Sequence, residues 1–118
     1  MPWPIVFYTT ADKKSPVQEF IDGLPKGQQS KILRGISLLK EHGTALREPQ
    51  AKPLGDGLWE LRTTFGGDAF RLLYFTWTER RFVILHGFQK KTQQTPEGEM
   101  ETARRRRRDW LQRHQEKA

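Results

Sequence analysis

Two arginines in the middle of the chain are the residues most suited to chemistry. Arg62 stands in an alternating run that begins at Leu58, and Arg71 stands in a second alternating run after Gly66 and Gly67. Two glycines between such runs are typical of a tight β-hairpin turn. With these glycines at the turn centre, Arg62 lies opposite Arg71, and this pair of like charges is destabilising unless an anion lies between them. The spacing therefore indicates a phosphate clamp, because Arg has a planar fork of donors. Two arginines that splay apart into solvent are the alternative.

Cations of this kind can cleave RNA without a metal, because RNA carries its own nucleophile. The 2′-hydroxyl attacks the adjacent phosphorus, so the protein has to orient it, stabilise the charge of the phosphorane and assist proton transfer. Arg62 and Arg71 are the candidates for charge stabilisation. Lys90 is the candidate for proton transfer, because neighbouring cations and partial burial lower the pKa of a lysine from about 10.4. His86 is the rival base, and a buried structural role is the alternative for it.

Further residues predicted to contact RNA lie on both sides of these three. Lys91 follows Lys90 directly, Lys52 lies in a preceding loop, and the run Arg104 to Arg108 is a possible electrostatic footprint. Five consecutive helical residues point all round the helix, so a solvated terminal helix is the alternative for that run. The predicted RNA-contacting residues are Lys52, Tyr74, His86, Phe88, Lys91, Arg104, Arg107 and Arg108.

The composition favours an anionic partner. The 118 residues carry a net charge of +7, and 35% of them are hydrophobic, which predicts one domain over residues 1–118 with a modest core. Residues 1–79 hold ten Lys and Arg against nine acids, whereas residues 80–118 hold eleven against five. The chain has no Cys, and its three His are far apart, so neither a metal nor another cofactor is predicted. Without a signal peptide or a long apolar run, we expect a cytoplasmic protein with no membrane partner.

The elements that position these residues begin with a strand and two helices. Ile5 to Thr9 is typical of a strand. Ser15 with Pro16 predicts a helix start and Gly23 its end, and Gln18 stands where a capping box has Glu or Gln. A second helix is predicted from residue 26 to residue 42, with Lys31, Arg34 and Lys40 turned mostly away from its apolar stripe. Both helices must cover a sheet.

The rest of the chain predicts a sheet and a third helix. The segment 44–57 has the Pro and Gly content of a loop, and the runs 69–77 and 81–88 are typical of central strands. Thr95 before Pro96 predicts the start of a helix at about residues 96–115, with an apolar face of Met100, Ala103, Trp110 and Leu111. The predicted class is α+β: a small, mostly antiparallel sheet with two N-terminal helices packed on it and a C-terminal helix.

Three motifs, together with this order of elements, resemble the phage-derived HigB-like branch of the RelE/HigB superfamily of type II toxins. The first is Lys52-Pro-Leu-Gly-Asp-Gly-Leu-Trp-Glu-Leu-Arg62, and the second is Phe70-Arg-Leu-Leu-Tyr74. The third is His86-Gly-Phe-Gln-Lys-Lys-Thr-Gln-Gln-Thr-Pro96, and the similarity extends over about residues 5 to 110. By position, the resemblance implies that Arg62, Arg71, Lys90 and Lys91 are the site residues, in a RelE-like fold.

The same resemblance implies a ribosome-dependent endoribonuclease that cuts mRNA and inhibits translation. Its implied partners are the ribosome, mRNA and a cognate antitoxin with a helix-turn-helix domain, and operator DNA would be bound only through the antitoxin complex. Several relatives use a C-terminal Tyr or His as the base, whereas this chain has no Tyr after Tyr74 and only His114 near its end, so the acid and the base stay open. The alternative is a non-catalytic module of phage origin that binds nucleic acid or antitoxin. A phage structural protein with an acidic partner is a third interpretation.

Overall fold

A five-stranded mixed sheet with helices on both faces forms the protein. The computed structural model describes residues 2–91 and 94–114. The sheet order is β1-β5-β4-β3-β2, with β1 parallel to β5 and every other neighbouring pair antiparallel. Among the described residues, no helix is long and apolar enough to cross a membrane. The elements are β1 (Ile5–Phe7), α1 (Pro16–Asp22), α2 (Lys26–His42), β2 (Ala51–Gly55), β3 (Leu58–Phe65), β4 (Asp68–Trp77), β5 (Arg81–Lys90) and α3 (Glu97–Arg113), with 3-10 turns at Gly43–Ala45 and Thr78–Arg80.

The predicted α+β class and the mostly antiparallel sheet are confirmed, as are α1 and α2. Ser15 caps α1, because its hydroxyl accepts the amide of Gln18. The Gln18 side chain donates to Asp22 instead of returning to the cap, so the second half of a capping box is absent here. The apolar residues of both helices pack on one face of the sheet, in a core that includes Val17, Ile21, Ile32, Leu39, Leu61, Phe70, Leu72, Tyr74 and Ile84.

The third helix covers the opposite face, so the helices are divided between the two sides of the sheet. Ala103 and Trp110 are buried there, and Met100 packs against the same cluster. The prediction of Leu111 on this apolar face is wrong, because a residue one position after Trp110 is turned by about 100° and lies 42% exposed. The apolar residues of the sheet beneath the helix are Leu58, Leu73, Phe75, Val83, Leu85 and Phe88.

The loop predicted over residues 44–57 contains an edge strand, so that prediction is wrong for β2. Lys52 pairs with Glu60 and Pro53 with Trp59, and the register shifts between Pro53 and Gly55. Proline is tolerated in an edge strand, because its missing N–H can face away from the ladder. The same Pro and Gly residues that are typical of a loop therefore also suit this irregular strand.

The hairpin predicted around the two glycines is confirmed. Gly66 and Gly67 have φ angles of +57° and +90°, which a type I′ turn requires at both central positions. Phe65 pairs with Asp68 across the turn, and the ladder then places Arg62 opposite Arg71. The central position of β4 and β5, which was predicted from their apolar content, is confirmed by the strand order.

Candidate active site

Three neighbouring strands bring the predicted cations to one face of the sheet, the face that carries α3. Arg62 of β3 pairs with Arg71 of β4, which pairs in turn with Phe88 of β5. The next pairs toward the hairpin turn place Ala69 between Thr64 and Lys90. On the other side, the aligned residues are Lys52, Glu60, Leu73 and His86. Residues of one strand face the same side at every second position, so these three rows form one surface.

A buried carboxylate lies between the two arginines. Glu60 is 1% exposed, and its Oε2 lies 3.4 Å from Arg62 Nε and 3.2 Å from Arg71 Nε. Its Oε1 accepts a hydrogen bond of 2.5 Å from the hydroxyl of Thr95. Glu60 is therefore the anion that makes the facing arginines tolerable in the free protein. We did not predict this role, although a Glu two positions before Arg62 in an alternating strand must share its face.

Thr95 contributes to this cluster and not to the start of α3. The residue before the first helical turn is Pro96, and no side-chain hydrogen bond from residues 2–91 or 94–114 caps the helix. The prediction of Thr95 as the cap is therefore wrong, because its hydroxyl is committed to Glu60. The contact ties the segment before α3 to the face of β3.

Arg71 is the most buried cation of the site. It is 7% exposed, and its Nη1 donates to the carbonyl of Phe70 at 2.9 Å. Its Nε is close to Glu60, but among the described residues it has no acceptor with hydrogen-bond geometry. Burial lowers the pKa of Arg71, and Glu60 opposes that shift. Because arginine ionises far above neutral pH, Arg71 remains a fixed positive charge that is paired with Glu60.

Lys90 is half-buried at the end of β5 and is electrostatically coupled to the same cluster. Burial is the largest cause that lowers the pKa of Lys90, and the charges of Arg71, Arg62 and Lys52 lower it further. Glu60 acts in the opposite direction. The direction agrees with the sequence-based expectation, and it makes Lys90 a better proton carrier near neutral pH than an isolated lysine.

His86 shares this face, but its ring joins β5 to α3. Nε2 lies 2.5 Å from Glu99 Oε1, and Nδ1 lies 3.2 Å from Nη1 of Arg106, which also donates to the Leu85 carbonyl. Because Arg can only donate, Nδ1 accepts the hydrogen bond from Arg106. Nε2 is therefore protonated and donates its hydrogen bond to the Glu99 carboxylate. Burial lowers the pKa of His86. With both nitrogens engaged, His86 fits the structural interpretation better than that of a base. We did not include Arg106 in the predicted set.

The comparison with protein families gives a match over most of the chain. Residues 19–108 match the family of phage-derived Gp49-like proteins (DUF891). The chain belongs to this family. Gp49-like proteins are part of the RelE/HigB-like toxin superfamily and are commonly the toxin-like members of toxin–antitoxin systems, which implies a cognate antitoxin. No curated protein matches the chain.

Two aromatic residues predicted to contact RNA are buried in this Gp49-like chain, on opposite faces of the sheet. Tyr74 lies on the α1–α2 side, 3% exposed, with its ring edge-on to Phe82 at 5.4 Å, and burial raises its pKa. The structure therefore does not bring Tyr74 to the cations. Phe88 is beside Arg71 but only 7% exposed, and it stacks on His86 at 5.4 Å. The RNA contacts of both residues stay predictions.

The arginine run of α3 is paired with acids of the chain itself. Arg104 binds Glu97 and Glu101, and Arg108 lies 3.9 Å from Glu101. Arg107 donates to Asp56, at 2.5 Å to the carbonyl and 2.8 Å to the carboxylate. These three arginines therefore do not converge with Arg62 and Arg71, and their predicted RNA contacts stay predictions. Lys91 is exposed just beyond β5, and Lys52 is exposed on β2.

Proposed function

We propose that this Gp49-like protein is the toxin of a type II toxin–antitoxin pair, in the HigB-like branch, and that it cleaves mRNA on the ribosome. One observation carries the proposal: Arg62, Arg71 and Lys90 meet on one face of three adjacent strands around the buried Glu60. Membership in a toxin superfamily supports the same conclusion. The RelE-like assignment of the fold is part of this proposal.

The proposed reaction is an internal transesterification. The 2′-oxygen forms a bond to the adjacent phosphorus while the bond from phosphorus to the 5′-oxygen breaks, which leaves a 2′,3′-cyclic phosphate and a 5′-hydroxyl. Arg62 and Arg71 donate to the phosphoryl oxygens, whose negative charge grows in the transition state. The 2′-hydroxyl loses its proton as it attacks, and the 5′-oxygen gains one as it leaves. Lys90 accepts or donates the proton at one of these oxygens, and water exchanges the proton at the other. Glu60 holds both arginines in position.

The ribosome and the antitoxin complete the proposed function. The ribosome presents the mRNA strand in a fixed path, which supplies the in-line orientation that a small open sheet surface lacks. A helix-turn-helix antitoxin would neutralise the toxin, and the complex would bind operator DNA through the antitoxin. The excess of basic residues favours such polyanionic surroundings.

Lys90→Ala tests the function in a purified translation system. We expect new mRNA 5′ ends inside translated regions when the native protein is added to ribosomes that carry a defined message. Lys90→Ala should lower the cleavage rate by about 10²- to 10⁴-fold, the usual contribution of a proton-transfer group. Lys26→Ala removes the same charge at an exposed position of α2 and should cleave at the native rate. Intact mRNA with the folded native protein would refute the nuclease.

A second candidate function is a non-catalytic module that binds RNA or antitoxin. The observation in its favour is Glu60, which already neutralises part of the charge of Arg62 and Arg71 in the free protein. Such a module would use its cations to position phosphates without reacting with them. It predicts RNA binding that weakens steeply with salt, together with no cleavage on ribosomes.

A further inference from the structure

A groove of about 440 Å³ lies between α2 and the free end of β3, next to the candidate active site. Four cations line it, two from α2 and two from the sheet, and its lining includes no acid from the part of the chain that the structure describes. Leu38, Leu61 and Pro49 supply an apolar part, and Gln50, Thr63 and Thr64 supply polar groups. The four cations are Lys31, Arg34, Arg62 and Arg71.

The helix side of the groove depends on a close approach of α2 to β3. Gly35 faces Thr63, and a Cβ atom at Gly35 would lie 3.2 Å from the threonine hydroxyl. The missing side chain lets the helix lie against the strand, which places Lys31 and Arg34 at the groove. Both residues are exposed, as expected for residues turned mostly away from the apolar stripe of α2, and they line the groove from that position.

The strand side of the groove has a free backbone edge. The Arg62 amide donates to the Gln50 carbonyl at 2.8 Å, and the register of β2 with β3 ends at the pair of Ala51 and Leu61. In an antiparallel ladder, every second amide of a strand points to the same side, so the Thr64 N–H points to this open edge. The groove therefore combines fixed charges with an available backbone donor.

We propose that this groove binds the RNA strand beside the scissile phosphate, with Lys31 and Arg34 on a neighbouring phosphate. This inference rests on the proposed function. Arg62 and Arg71 line the groove and also belong to the cluster with Glu60, so one ligand can follow the cations from α2 to Lys90. Arg71 is buried with its Nε 3.2 Å from Glu60 Oε2, whereas the Arg62 side chain is 27% exposed, so Arg62 is the cation of the pair that an incoming phosphate reaches from the groove.

A single-stranded nucleic acid fits this path better than a protein segment does. Its phosphates repeat at every nucleotide, which matches cations that continue from the groove into the active site. An acidic peptide would have to place carboxylates against the same four cations, and it is the competing ligand in the binding experiment. The short apolar part of the groove is suited to one base or one ribose.

The test removes the two helix charges and measures binding and cleavage separately. The groove variant is Lys31→Ala/Arg34→Ala. The control is Lys26→Ala/Lys40→Ala, which removes two charges from the same helix at positions about 140° and 180° from Lys31. Binding is measured by fluorescence anisotropy with a short single-stranded RNA that carries 2′-O-methyl groups and therefore cannot be cut. The Thr64 amide is followed by NMR during the same titration.

We expect the groove variant to bind this RNA more weakly and with a weaker salt dependence. Because both side chains are placed on one phosphate, their loss should reduce the slope of log K against log salt by about 0.7, the value for one phosphate of a single strand. On ribosomes KM should rise, while kcat should stay near the native value. The control should keep the native slope, and RNA should shift the Thr64 amide resonance in the native protein.

The possible results distinguish a failure of the groove proposal from a failure of the proposed nuclease activity. The groove proposal is wrong and the nuclease stands if the native protein cleaves mRNA while the groove variant and the control have the same slope of log K against log salt. If the native protein cleaves no mRNA but the groove variant still binds RNA with a weaker salt dependence, the groove stands as an RNA site of a non-catalytic module. Tighter binding of a polyglutamate peptide than of RNA, lost in the groove variant, would overturn the proposal in favour of a protein partner.

Discussion

The protein has two concentrations of arginine, and their surroundings differ. On the sheet, Arg62 and Arg71 face each other from two strands and share one buried carboxylate. On α3, five arginines follow one another, and Arg104, Arg107 and Arg108 each lie beside acids at the surface. The denser run therefore disperses its charge around a helix, whereas the sparse pair concentrates it at one point.

This difference shows that convergence in the fold matters more for a site than the number of like charges in sequence. Strand alternation and a fixed hairpin register can aim two side chains at the same place. Consecutive residues of a helix diverge by about 100° each, so a run of five cannot converge. The comparison predicts that substitutions on the sheet have large effects and that equivalent substitutions on α3 have small ones.

The largest expected difference concerns activity. Arg71→Ala should lower mRNA cleavage on ribosomes by about 10²- to 10³-fold, the usual cost of losing one donor to a developing oxyanion. Arg105→Ala removes an exposed arginine of α3 and should cleave at a rate within a few-fold of the native protein. The measurement is the rate at which new mRNA 5′ ends form.

A fold defect in Arg71→Ala is separated from a catalytic one by Arg71→Lys. Lysine keeps the positive charge beside Glu60 but lacks the planar fork, so this variant should fold and still cleave poorly. Equal cleavage by Arg71→Lys and the native protein would show that only the charge of Arg71 is needed. Equal reductions of the cleavage rate in Arg71→Ala and Arg105→Ala would show that the arginines of the sheet and those of α3 do not differ in their effect on activity.

The second difference concerns stability. Glu60→Ala leaves Arg71 buried without its partner, which should lower the free energy of unfolding by roughly 3 kcal/mol, the low end for a broken buried ion pair because Arg62 keeps some solvent. Glu101 also lies beside two arginines, Arg104 and Arg108, but at the surface. Glu101→Ala should therefore change the free energy of unfolding no more than an ordinary surface substitution does.

Urea denaturation of the two Glu variants, measured at neutral pH, checks this difference. Equal urea midpoints for Glu60→Ala and Glu101→Ala would mean that the buried ion pairs of Glu60 stabilise the protein no more than the surface ion pairs of Glu101 do. A stabilised Glu60→Ala would mean that the arginines reorient into solvent once the carboxylate is gone.

The smallest difference concerns His86, which links the two regions. Burial lowers its pKa despite the opposing effect of Glu99, so the folded protein favours the neutral ring. This contribution to stability is complete above the unfolded pKa of about 6.5 and is lost as the pH falls toward the folded pKa. We expect the urea midpoint of the native protein to decrease as the pH is lowered from 7.5 to about 5.5. His86→Gln should weaken this pH dependence.

His42→Gln is the matched control for the pH experiment. His42 is exposed at the end of α2, so its replacement should leave the pH dependence of the native protein in place. An unchanged pH dependence in His86→Gln would assign the effect to the carboxylates of the protein.

The parts of the site that depend on local rules could be predicted from the sequence. Gly66 and Gly67 determine the turn, and the turn determines the register that pairs Arg62 with Arg71. The same alternation could have revealed Glu60, since it shares a face with Arg62. Lys90 follows from its position at the end of a strand beside the same pair.

The remaining features depend on contacts between distant segments, which local patterns do not contain. Thr95 stands where a helix cap is expected, but its hydroxyl donates a hydrogen bond to Glu60, which lies 35 positions earlier in the sequence. Lys31 and Arg34 are exposed helix residues in the structure as well, but the groove that they line depends on the packing of Gly35 against β3, which the sequence does not show. Tyr74 stands three positions after Arg71, and an odd separation in a strand places it on the opposite face. The strand β2 was missed because its Pro and Gly residues are equally typical of a loop.

The parallel pairing of β1 has a consequence for the kinetics of folding. Ile5, Val6 and Phe7 pair with Phe82, Val83 and Ile84, so this contact closes a loop that spans most of the chain. The antiparallel strands that carry the arginines are joined by short turns and can form without that closure. Non-local pairings cost loop entropy before they contribute contacts, so β1 should join the sheet late. Substitutions in β1 should therefore accelerate unfolding more than they slow folding, while the sheet of the active site assembles first.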